Sequence, residues 1–409
     1  VEEDVHISGL ESVSSHQLYR AMDELMEVRE ELEKQVYFAT ADLMNLEVDL
    51  LYFDTTSSYF EVTSEETPDD DLFRMDGLSK DKRPDLVQVV IGLAVTREGI
   101  PIRVWTWPGN TPDMNVVEQV KKDLVGWKLG RVISVMDRGF SSDKNLRILQ
   151  RAGGHFIVGE KMRSGKATTE MALARAGRFK EISDSVHVKD ITVGDGEKRK
   201  RFVLVYNPSE ARRKEKRREK HLADLEVMLE ELKQMPGEAH TKSACKLRTH
   251  PTYGRYLRQL KDGRLKINRA AIKEEERLDG KYLIQTSNDT LSAEDVALGY
   301  KQLLEVEDCF RTIKTPMSLR PMYHRRDERI KAHVVLAWLA LLLARILEVR
   351  TGETWRNIRK ELGRVHLIHA SSETGDVFQT TALSSKQKSL YQKAQIKPPP
   401  TIIQIKPKF

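Results

Sequence analysis

The sequence has little that would crosslink the chain or anchor it in a membrane. Its only two cysteines, Cys245 and Cys309, provide neither a disulfide framework nor the CxxC pair of a zinc site. The longest apolar run, Val334–Ile346, is shorter than the roughly 20 residues that a membrane-spanning helix requires, so it predicts a buried helix. These absences favour a protein of the reducing cytoplasm that is stabilised by its core.

Length and charge set further limits. The 409 residues allow two or three domains, and 39% hydrophobic with 32% charged residues describe a globular rather than a disordered chain. A net charge of +6 makes an anionic partner such as nucleic acid plausible, although many basic proteins bind none. The chain begins at Val1 without Met or a signal-type segment, which suggests an excerpt of a longer protein.

Hydrophobic periodicity predicts an α/β protein. Residues 1–46 form an N-terminal helical segment, because apolar positions recur at helical spacing over 14–46. Three strands are predicted next, the last two joined by a hairpin at Arg97–Gly99: Val48–Asp54, Val87–Val95 and Ile100–Trp107. Helices and strands then alternate, which is typical of a mixed sheet: helix 113–125, strand Arg131–Met136, helix 143–152 and strand His155–Val158.

A change of composition divides the rest of the chain. After a first core part at 47–159, residues 160–280 are predicted to be an inserted subdomain that contains strands near 186–193 and 201–206 and the charge run Arg212–Lys220. The α/β pattern resumes over 281–350 with a strand at Lys281–Thr286 and long helices at 293–314 and 327–349. Residues 351–409 form a C-terminal segment whose Pro-rich tail, after Lys397, is expected to be extended.

Two carboxylates are predicted at strand ends. Asp54 ends an apolar strand and precedes four hydroxyl residues. Asp137 likewise follows the predicted strand Arg131–Met136 and precedes Arg138. Each could be an ordinary turn or cap residue. If the two strands are neighbours, however, both charges meet in one cleft, an arrangement that is costly unless cations neutralise it.

A third carboxylate lies on the predicted helix 293–314. On a continuous helix Tyr300, Glu307, Arg311 and Lys314 fall within roughly 60° of one another, beside an apolar stripe of Leu303, Val306, Phe310 and Ile313. This polar face could simply be solvated, with Glu307 and Arg311 as an i,i+4 ion pair. Three carboxylates from two strands and a helix would also suit two Mg²⁺ or Mn²⁺ ions, with Arg311 and Lys314 holding a phosphodiester strand.

Together these segments resemble bacterial insertion-sequence transposases of the DDE type. The resemblance rests on Asp54-Thr-Thr, Asp137-Arg-Gly and Tyr300-x2-Leu303-x3-Glu307-x6-Lys314, against the family signature Tyr-x2-Arg-x3-Glu-x6-Lys. The spacing matches throughout, and Leu303 stands where the family has Arg. Gly77–Pro84 and Arg320–Arg326 also look like sequence typical of the family. The resemblance spans about 48–345 and implies a ribonuclease-H-like core, a mixed five-stranded sheet with flanking helices, interrupted by a partly β insertion before the last catalytic helix.

The resemblance also implies a function. It predicts a DNA transposase that cleaves transposon ends and joins them to target DNA, with Asp54, Asp137 and Glu307 as catalytic ligands of Mg²⁺ or Mn²⁺. Tyr300 and Lys314 match phosphate-contacting residues, and Arg311 and Arg138 are expected to contact DNA as well. Synapsis of two ends implies a homodimer on double-stranded DNA in the bacterial cytoplasm. A decayed DNA-binding relic and a nuclease without strand transfer remain alternatives.

Overall fold

The structure is a computed structural model that describes residue 7 and residues 12–67 and 72–407. The chain divides into two compact units. The first unit comprises Val1–Ser134 and Gln302–Phe409, and the second unit comprises Val135–Lys301. Both units contain helices and strands, which confirms the α/β class. Of the predicted N-terminal helical segment, residues 1–6 and 8–11 lie outside the described residues.

The elements follow the predicted order with several additions. The helices are α1 (Ser15–Glu27), α2 (Arg29–Met44), α3 (Asp113–Gly126), α4 (Asp143–Leu149), α5 (Ala167–Ala174), α6 (Pro208–Gln234), α7 (Gly237–Thr249), α8 (Arg269–Arg277), α9 (Ala293–Lys301), α10 (Leu304–Lys314), α11 (Asp327–Thr351), α12 (Trp355–Leu362) and α13 (Ser385–Ala394). The strands are β1 (Leu50–Tyr59), β2 (Gln88–Val95), β3 (Pro101–Pro108), β4 (Ile133–Met136), β5 (His155–Glu160), β6 (Lys180–Ser183), β7 (Val186–Val193), β8 (Lys200–Tyr206), β9 (Leu257–Gln259), β10 (Leu265–Ile267), β11 (Lys281–Thr286), β12 (Leu367–Ser371), β13 (Gly375–Thr380) and β14 (Ile402–Pro407).

The first unit is built on three antiparallel strands in the order β3-β2-β1. The predicted hairpin between β2 and β3 is confirmed: Thr96 and Ile100 close it, and Gly99 takes a φ of +72°, which a residue without a Cβ adopts easily. All eight residues of β2 are buried. Helix α10 packs on β1 and β2, and α11 packs on β3, α1 and α10. Because successive residues of a strand point to opposite faces, the full burial of β2 means that both faces of the sheet are covered at this strand.

Helix α11 contains the long apolar run and has the length and composition of a membrane-crossing helix. Its Trp338 and Leu341 are fully buried within the first unit. The apolar run therefore packs against neighbouring elements of the unit, as expected from the predicted buried helix. Beyond it, β12, β13 and β14 form a separate antiparallel sheet, so that part of the tail expected to be extended is a strand.

In the second unit five strands lie side by side in the order β5-β11-β8-β7-β6, and each neighbouring pair is antiparallel. The strands predicted near 186–193 and 201–206 are confirmed as β7 and β8. One side of the sheet buries a compact apolar cluster: Ala172, Ile191, Val193, Phe202, Leu204 and Leu283. Helix α9 packs on β5, β7, β8 and β11, and the helices α6, α7 and α8 with the β9–β10 hairpin extend from the sheet.

Candidate active site

Asp54 lies in the middle of β1 rather than at its end. The prediction that the strand ends at Asp54 is wrong, because the strand continues to Tyr59 and residues 55–58 pair with Val89–Gly92 of β2. The β-branched Thr55 and Thr56 suit this extension, which is buried against an apolar partner strand. Within β1 only Asp54 and Tyr59 are not buried, so Asp54 is a half-buried residue between buried neighbours.

The loop that contains Lys80 covers the extension of β1. The Lys80 backbone N–H donates to Ser57 Oγ at 2.9 Å, and its ammonium donates to the Thr55 carbonyl at 2.8 Å. The same ammonium forms an ion pair with Asp113, the first residue of α3, at 3.1 Å. Lys80 thereby provides partners for the buried hydroxyls of Ser57 and, through its ammonium at 2.6 Å, of Thr55, which would otherwise be costly to bury. These contacts also place a lysine ammonium beside the residue that follows Asp54.

Glu307 lies on the exposed side of α10. Val306, Phe310 and Ile313 are buried on the opposite side, as the predicted apolar stripe requires. Arg311 is also exposed, but its ion pair is with Asp308 and not with Glu307. The i,i+4 pair considered from the sequence is therefore absent from the described contacts, and the Glu307 carboxylate faces solvent within this unit.

The prediction of a single helix over 293–314 is wrong. The chain forms α9 and α10, with Gln302 and Leu303 as a turn between them. At this turn the Gln302 side-chain carbonyl accepts a hydrogen bond from the buried Tyr52 hydroxyl at 2.8 Å. Leu303, where the family signature has Arg, is only 8% exposed and packs inward as expected. Because the helix is interrupted, Tyr300 does not share a continuous helical stripe with Glu307.

Lys314, at the last position of α10, is engaged in a buried ion pair. Its ammonium donates to Asp81 at 2.7 Å, and Arg320 pairs with the same carboxylate. The side chains of Lys314 and Asp81 are 9% and 4% exposed. Burial lowers the pKa of Lys314, and the Asp81 charge opposes that shift. The pair fastens the end of the Glu307 helix to the loop that also contains Lys80.

Asp137 follows β4 in the second unit and is held by Tyr300. The Tyr300 hydroxyl donates to one Asp137 carboxylate oxygen at 2.9 Å. Burial and the neighbouring Asp137 charge raise the pKa of Tyr300, so the phenol stays a protonated donor. Gly159 of β5 lies beneath this hydroxyl, since a Cβ there would approach it to 2.3 Å. The absence of a side chain at 159 is what admits the tyrosine.

A cavity of about 430 Å³ opens at Asp137 within the second unit. Its polar lining combines acidic and basic groups: Asp137, Glu160 and Glu210 with Arg138, Arg163, Lys214 and Lys281. Tyr282 stacks on Tyr300 with ring centroids 5.8 Å apart. The cavity thus combines one hydrogen-bonded carboxylate, an aromatic wall and charged groups of both signs.

The predicted site residues therefore divide between the units. Asp54, Glu307, Arg311 and Lys314 belong to the first, and Asp137, Arg138 and Tyr300 to the second. Within the described residues of either unit alone, no three His, Cys, Asp or Glu side chains are grouped closely enough to hold a metal ion. The predicted triad would need a carboxylate from each unit, and its convergence stays a prediction.

Several positioning residues were missed from the sequence. Asp81 and Lys80 were noted only as part of a family-like segment, although two adjacent opposite charges between Gly77 and Pro84 signalled a structured loop. Gly159 inside the apolar strand β5 was a further signal, because glycine in a strand commonly marks a close approach. Asp81 pairs with Lys314, Gly159 leaves room for Tyr300, and Lys80 contacts the residue that follows Asp54.

These observations define an α/β protein in which Tyr300 holds Asp137 and the buried Lys314–Asp81 pair holds the helix that carries Glu307. A family model described as "Transposase DDE domain" matches residues 80–343, which is more than half of the chain. The chain therefore belongs to the transposase DDE domain family. The match includes Asp137, Tyr300 and Glu307, whereas Asp54 precedes it.

Among solved structures, the chain is similar to one described as the cryo-EM structure of a piggyBac transposase synaptic complex with hairpin DNA. The sequence identity is 11% and the TM-score 0.39, with 85% of this chain and 52% of that chain covered. The chain thus spans about half the length of that protein. No curated protein matches the chain.

Proposed function

We propose that this chain is a DNA transposase that cleaves DNA at transposon ends and transfers the freed strands into target DNA, in cut-and-paste transposition of an insertion sequence. Membership of the transposase DDE domain family over residues 80–343 carries the proposal. The proposal includes a ribonuclease-H-like catalytic core, a homodimer in the synaptic complex and a location in the bacterial cytoplasm. A family whose members move DNA has double-stranded DNA as its expected substrate.

The proposal assigns Asp54, Asp137 and Glu307 to one metal-binding site. Their carboxylate oxygens are the ligands that Mg²⁺ and Mn²⁺ prefer, and Asp54 and Glu307 are both accessible in the first unit. Bound there, two such ions would polarise the attacking and leaving oxygens of a phosphodiester. The half-buried position of Asp54 on an otherwise buried stretch of β1 supports this role, because the residue is not fully enclosed by its neighbours.

The protein's own groups prepare this chemistry. Tyr300 fixes one oxygen of Asp137 and leaves the rest of the carboxylate to face the cavity. The Lys314–Asp81 pair fixes the end of the helix that carries Glu307. Arg138 and Arg311 are exposed cations that are suited to contact DNA phosphates, and we keep Tyr300 and Lys314 as proposed DNA contacts.

Leu303 favours a second candidate function, DNA binding without cleavage. The signature Arg is replaced here by a buried leucine, so α10 begins without the cation that the family pattern supplies. A decayed relic would tolerate this loss. The accessible carboxylates at Asp54 and Glu307 count against a relic, since solvent-facing substitutions would have been free to accumulate.

A strand-transfer assay separates the possibilities. Labelled DNA carrying the element's own ends is incubated with the protein, a target plasmid and Mg²⁺, and both nicked and joined products are counted. Joined products are expected. Nicking without joining would indicate a nuclease, and binding without nicking would indicate the relic; either outcome would overturn the proposal.

A further inference from the structure

Helix α6 of the second unit carries the densest charge in the chain. Seven of the nine residues from Arg212 to Lys220 are Lys or Arg. The second unit as a whole has 36 Lys and Arg against 25 Asp and Glu, a net charge of +11. A helix with this many like charges repels itself unless the charges are paired within the protein, screened by solvent and salt, or bound to an anionic partner.

One side of α6 is neutralised within the unit. Arg218 is buried and forms ion pairs with Asp279 and, at 3.8 Å, with Glu276. Leu225 and Leu232, further along the same side, are buried as well. Lys214, one turn before Arg218, lines the cavity at Asp137. The orientation of α6 is therefore fixed by packing, and so is the direction of its other side.

The opposite side is not neutralised. Arg213, Lys216, Arg217 and Lys220 are exposed and fall within roughly 100° of arc on the helix, and we call them the cationic face of α6. Lys216, Arg217 and Lys220 form no ion pair with any residue that the structure describes, and Arg213 pairs only with Glu210 at 2.7 Å. The face extends for about 10 Å along the axis.

We infer that the cationic face of α6 binds the sugar–phosphate backbone of duplex DNA. A rigid row of cations about 10 Å long can contact adjacent phosphates of one strand, and such contacts release counterions without reading the sequence. The same helix reaches the Asp137 cavity through Lys214 on its other side, so one helix carries both the cationic face and part of the cavity lining. The inference rests on the proposed function for the identity of the polyanion.

The test compares two variants with equal change in net charge. The first replaces the cationic face: Arg213→Gln, Lys216→Gln, Arg217→Gln and Lys220→Gln. Glutamine keeps helix propensity close to that of Lys and Arg. The matched control removes four exposed cations of the first unit: Arg356→Gln, Lys360→Gln, Lys388→Gln and Lys397→Gln. Circular dichroism verifies that both variants keep the helix content of the unmodified chain.

Binding is measured on a labelled duplex of arbitrary sequence, without divalent metal, over a range of salt concentrations. Each phosphate contact contributes about 0.9 to the slope of log affinity against log salt, so the slope should fall by about two to four units in the face variant. The control should keep the slope of the unmodified chain. An unchanged slope in the face variant would overturn the inference, and it is the result expected if the face binds an acidic protein instead. An equal fall in the control would overturn it as well.

The metal-free binding assay keeps this inference separate from the proposed function. A reduced slope in the face variant, together with absent strand transfer by the unmodified chain, would overturn the transposase proposal and leave the DNA-binding face intact. Normal strand transfer with an unchanged slope would overturn the face alone.

Discussion

The two units differ more in charge than in secondary structure. The second unit has a net charge of +11, whereas the first has 32 Lys and Arg against 37 Asp and Glu, a net charge of −5. The +6 of the whole chain conceals this division. Averaged over the sequence the charge is weak support for a nucleic-acid partner, but concentrated in one unit it becomes a specific expectation about where DNA is held.

The units also hold their candidate site residues by different means. In the first, a buried ion pair between Lys314 and Asp81 fixes the Glu307 helix. In the second, the neutral hydroxyl of Tyr300 fixes Asp137. All five tryptophans of the chain belong to the first unit: Trp105, Trp107, Trp127, Trp338 and Trp355. Tryptophan fluorescence therefore reports the first unit alone, so each kind of support can be tested separately.

The largest expected effect is the loss of cleavage in Glu307→Gln. Removing the carboxylate charge should reduce the cleavage rate by about 10²- to 10³-fold, the scale seen when one preorganised electrostatic group is lost. DNA binding should persist, because the net positive charge lies in the other unit. Product formation in gels and binding by fluorescence anisotropy check both. Glu328→Gln, an exposed residue of α11, is the matched control, and cleavage by Glu307→Gln at the unmodified rate would refute the assignment.

The next effect concerns the ion pair that supports the first unit. Asp81→Asn leaves the buried Lys314 ammonium without its counter-charge, and breaking a buried pair in this way costs about 3 kcal/mol of the free energy of unfolding. Urea unfolding followed by tryptophan fluorescence measures it.

Asp85→Asn serves as the control for this change. Asp85 is exposed and pairs only with Arg83 in the same loop, so its replacement should leave the transition where it was. Equal stability of Asp81→Asn and the unmodified chain would show that Lys314 does not depend on this carboxylate.

A smaller effect is expected from acid. His333 of α11 contacts His324 ring to ring, Nε2 of one to Nδ1 of the other at 3.1 Å, and burial followed by the His324 charge lowers the pKa of His333 to about 4. Tyr19 lies edge-on to His324, and burial followed by the charge of Arg329 lowers the pKa of His324 as well. Because the folded state binds a proton less readily than the unfolded state, stability is lost as the pH falls from about 6.5 toward 4.

Between pH 7 and pH 5 this loss amounts to about 2 kcal/mol for His333. Urea unfolding at both pH values, again followed by tryptophan fluorescence, measures it. His333→Gln should flatten the pH dependence, whereas His366→Gln, an exposed histidine of the same unit, should not. An equally steep dependence in His333→Gln would place the titrating group elsewhere.

The sequence predicted those elements whose bounds depend on local contacts. The strands β2, β3 and β11 and the helices α3 and α11 were predicted close to their bounds, because burial patterns repeat along one element. The sequence did not predict the end of β1 or the break before α10. Each depends on a partner distant in sequence: Lys80 for the hydroxyls of β1, and Tyr52 for Gln302. No periodicity encodes such a partner.

The candidate site shows the same limit. Family-like spacing identified Asp137, Tyr300, Glu307 and Lys314, but it could not show that Tyr300 contacts Asp137 or that Lys314 is paired with Asp81. Those contacts join residues more than 100 positions apart. Spacing along a chain therefore identifies candidate groups, while their partners depend on tertiary packing.

The smallest expected effect tests the neutral support of Asp137. Tyr300→Phe keeps the ring and its stacking on Tyr282 but removes the hydroxyl that donates to the carboxylate at 2.9 Å. If Asp137 binds metal, loss of a hydrogen bond to a ligand should reduce cleavage about tenfold and raise the Mg²⁺ concentration required. If Tyr300 had a purely structural role, the variant would require the same Mg²⁺ concentration as the unmodified chain, and excess Mg²⁺ would not restore its cleavage rate. Tryptophan-reported unfolding should be unaffected.

Two further variants complete this test. Gly159→Ala places a methyl group where the Tyr300 hydroxyl lies, so it should displace the hydroxyl and shift the Mg²⁺ dependence in the same direction. Tyr206→Phe removes a hydroxyl from another tyrosine of the second unit, outside the Asp137 cavity, and should behave as the unmodified chain does. If Tyr300→Phe and Tyr206→Phe required the same Mg²⁺ concentration, Asp137 would be oriented by something other than Tyr300, and the contrast between a charged and a neutral support would fail.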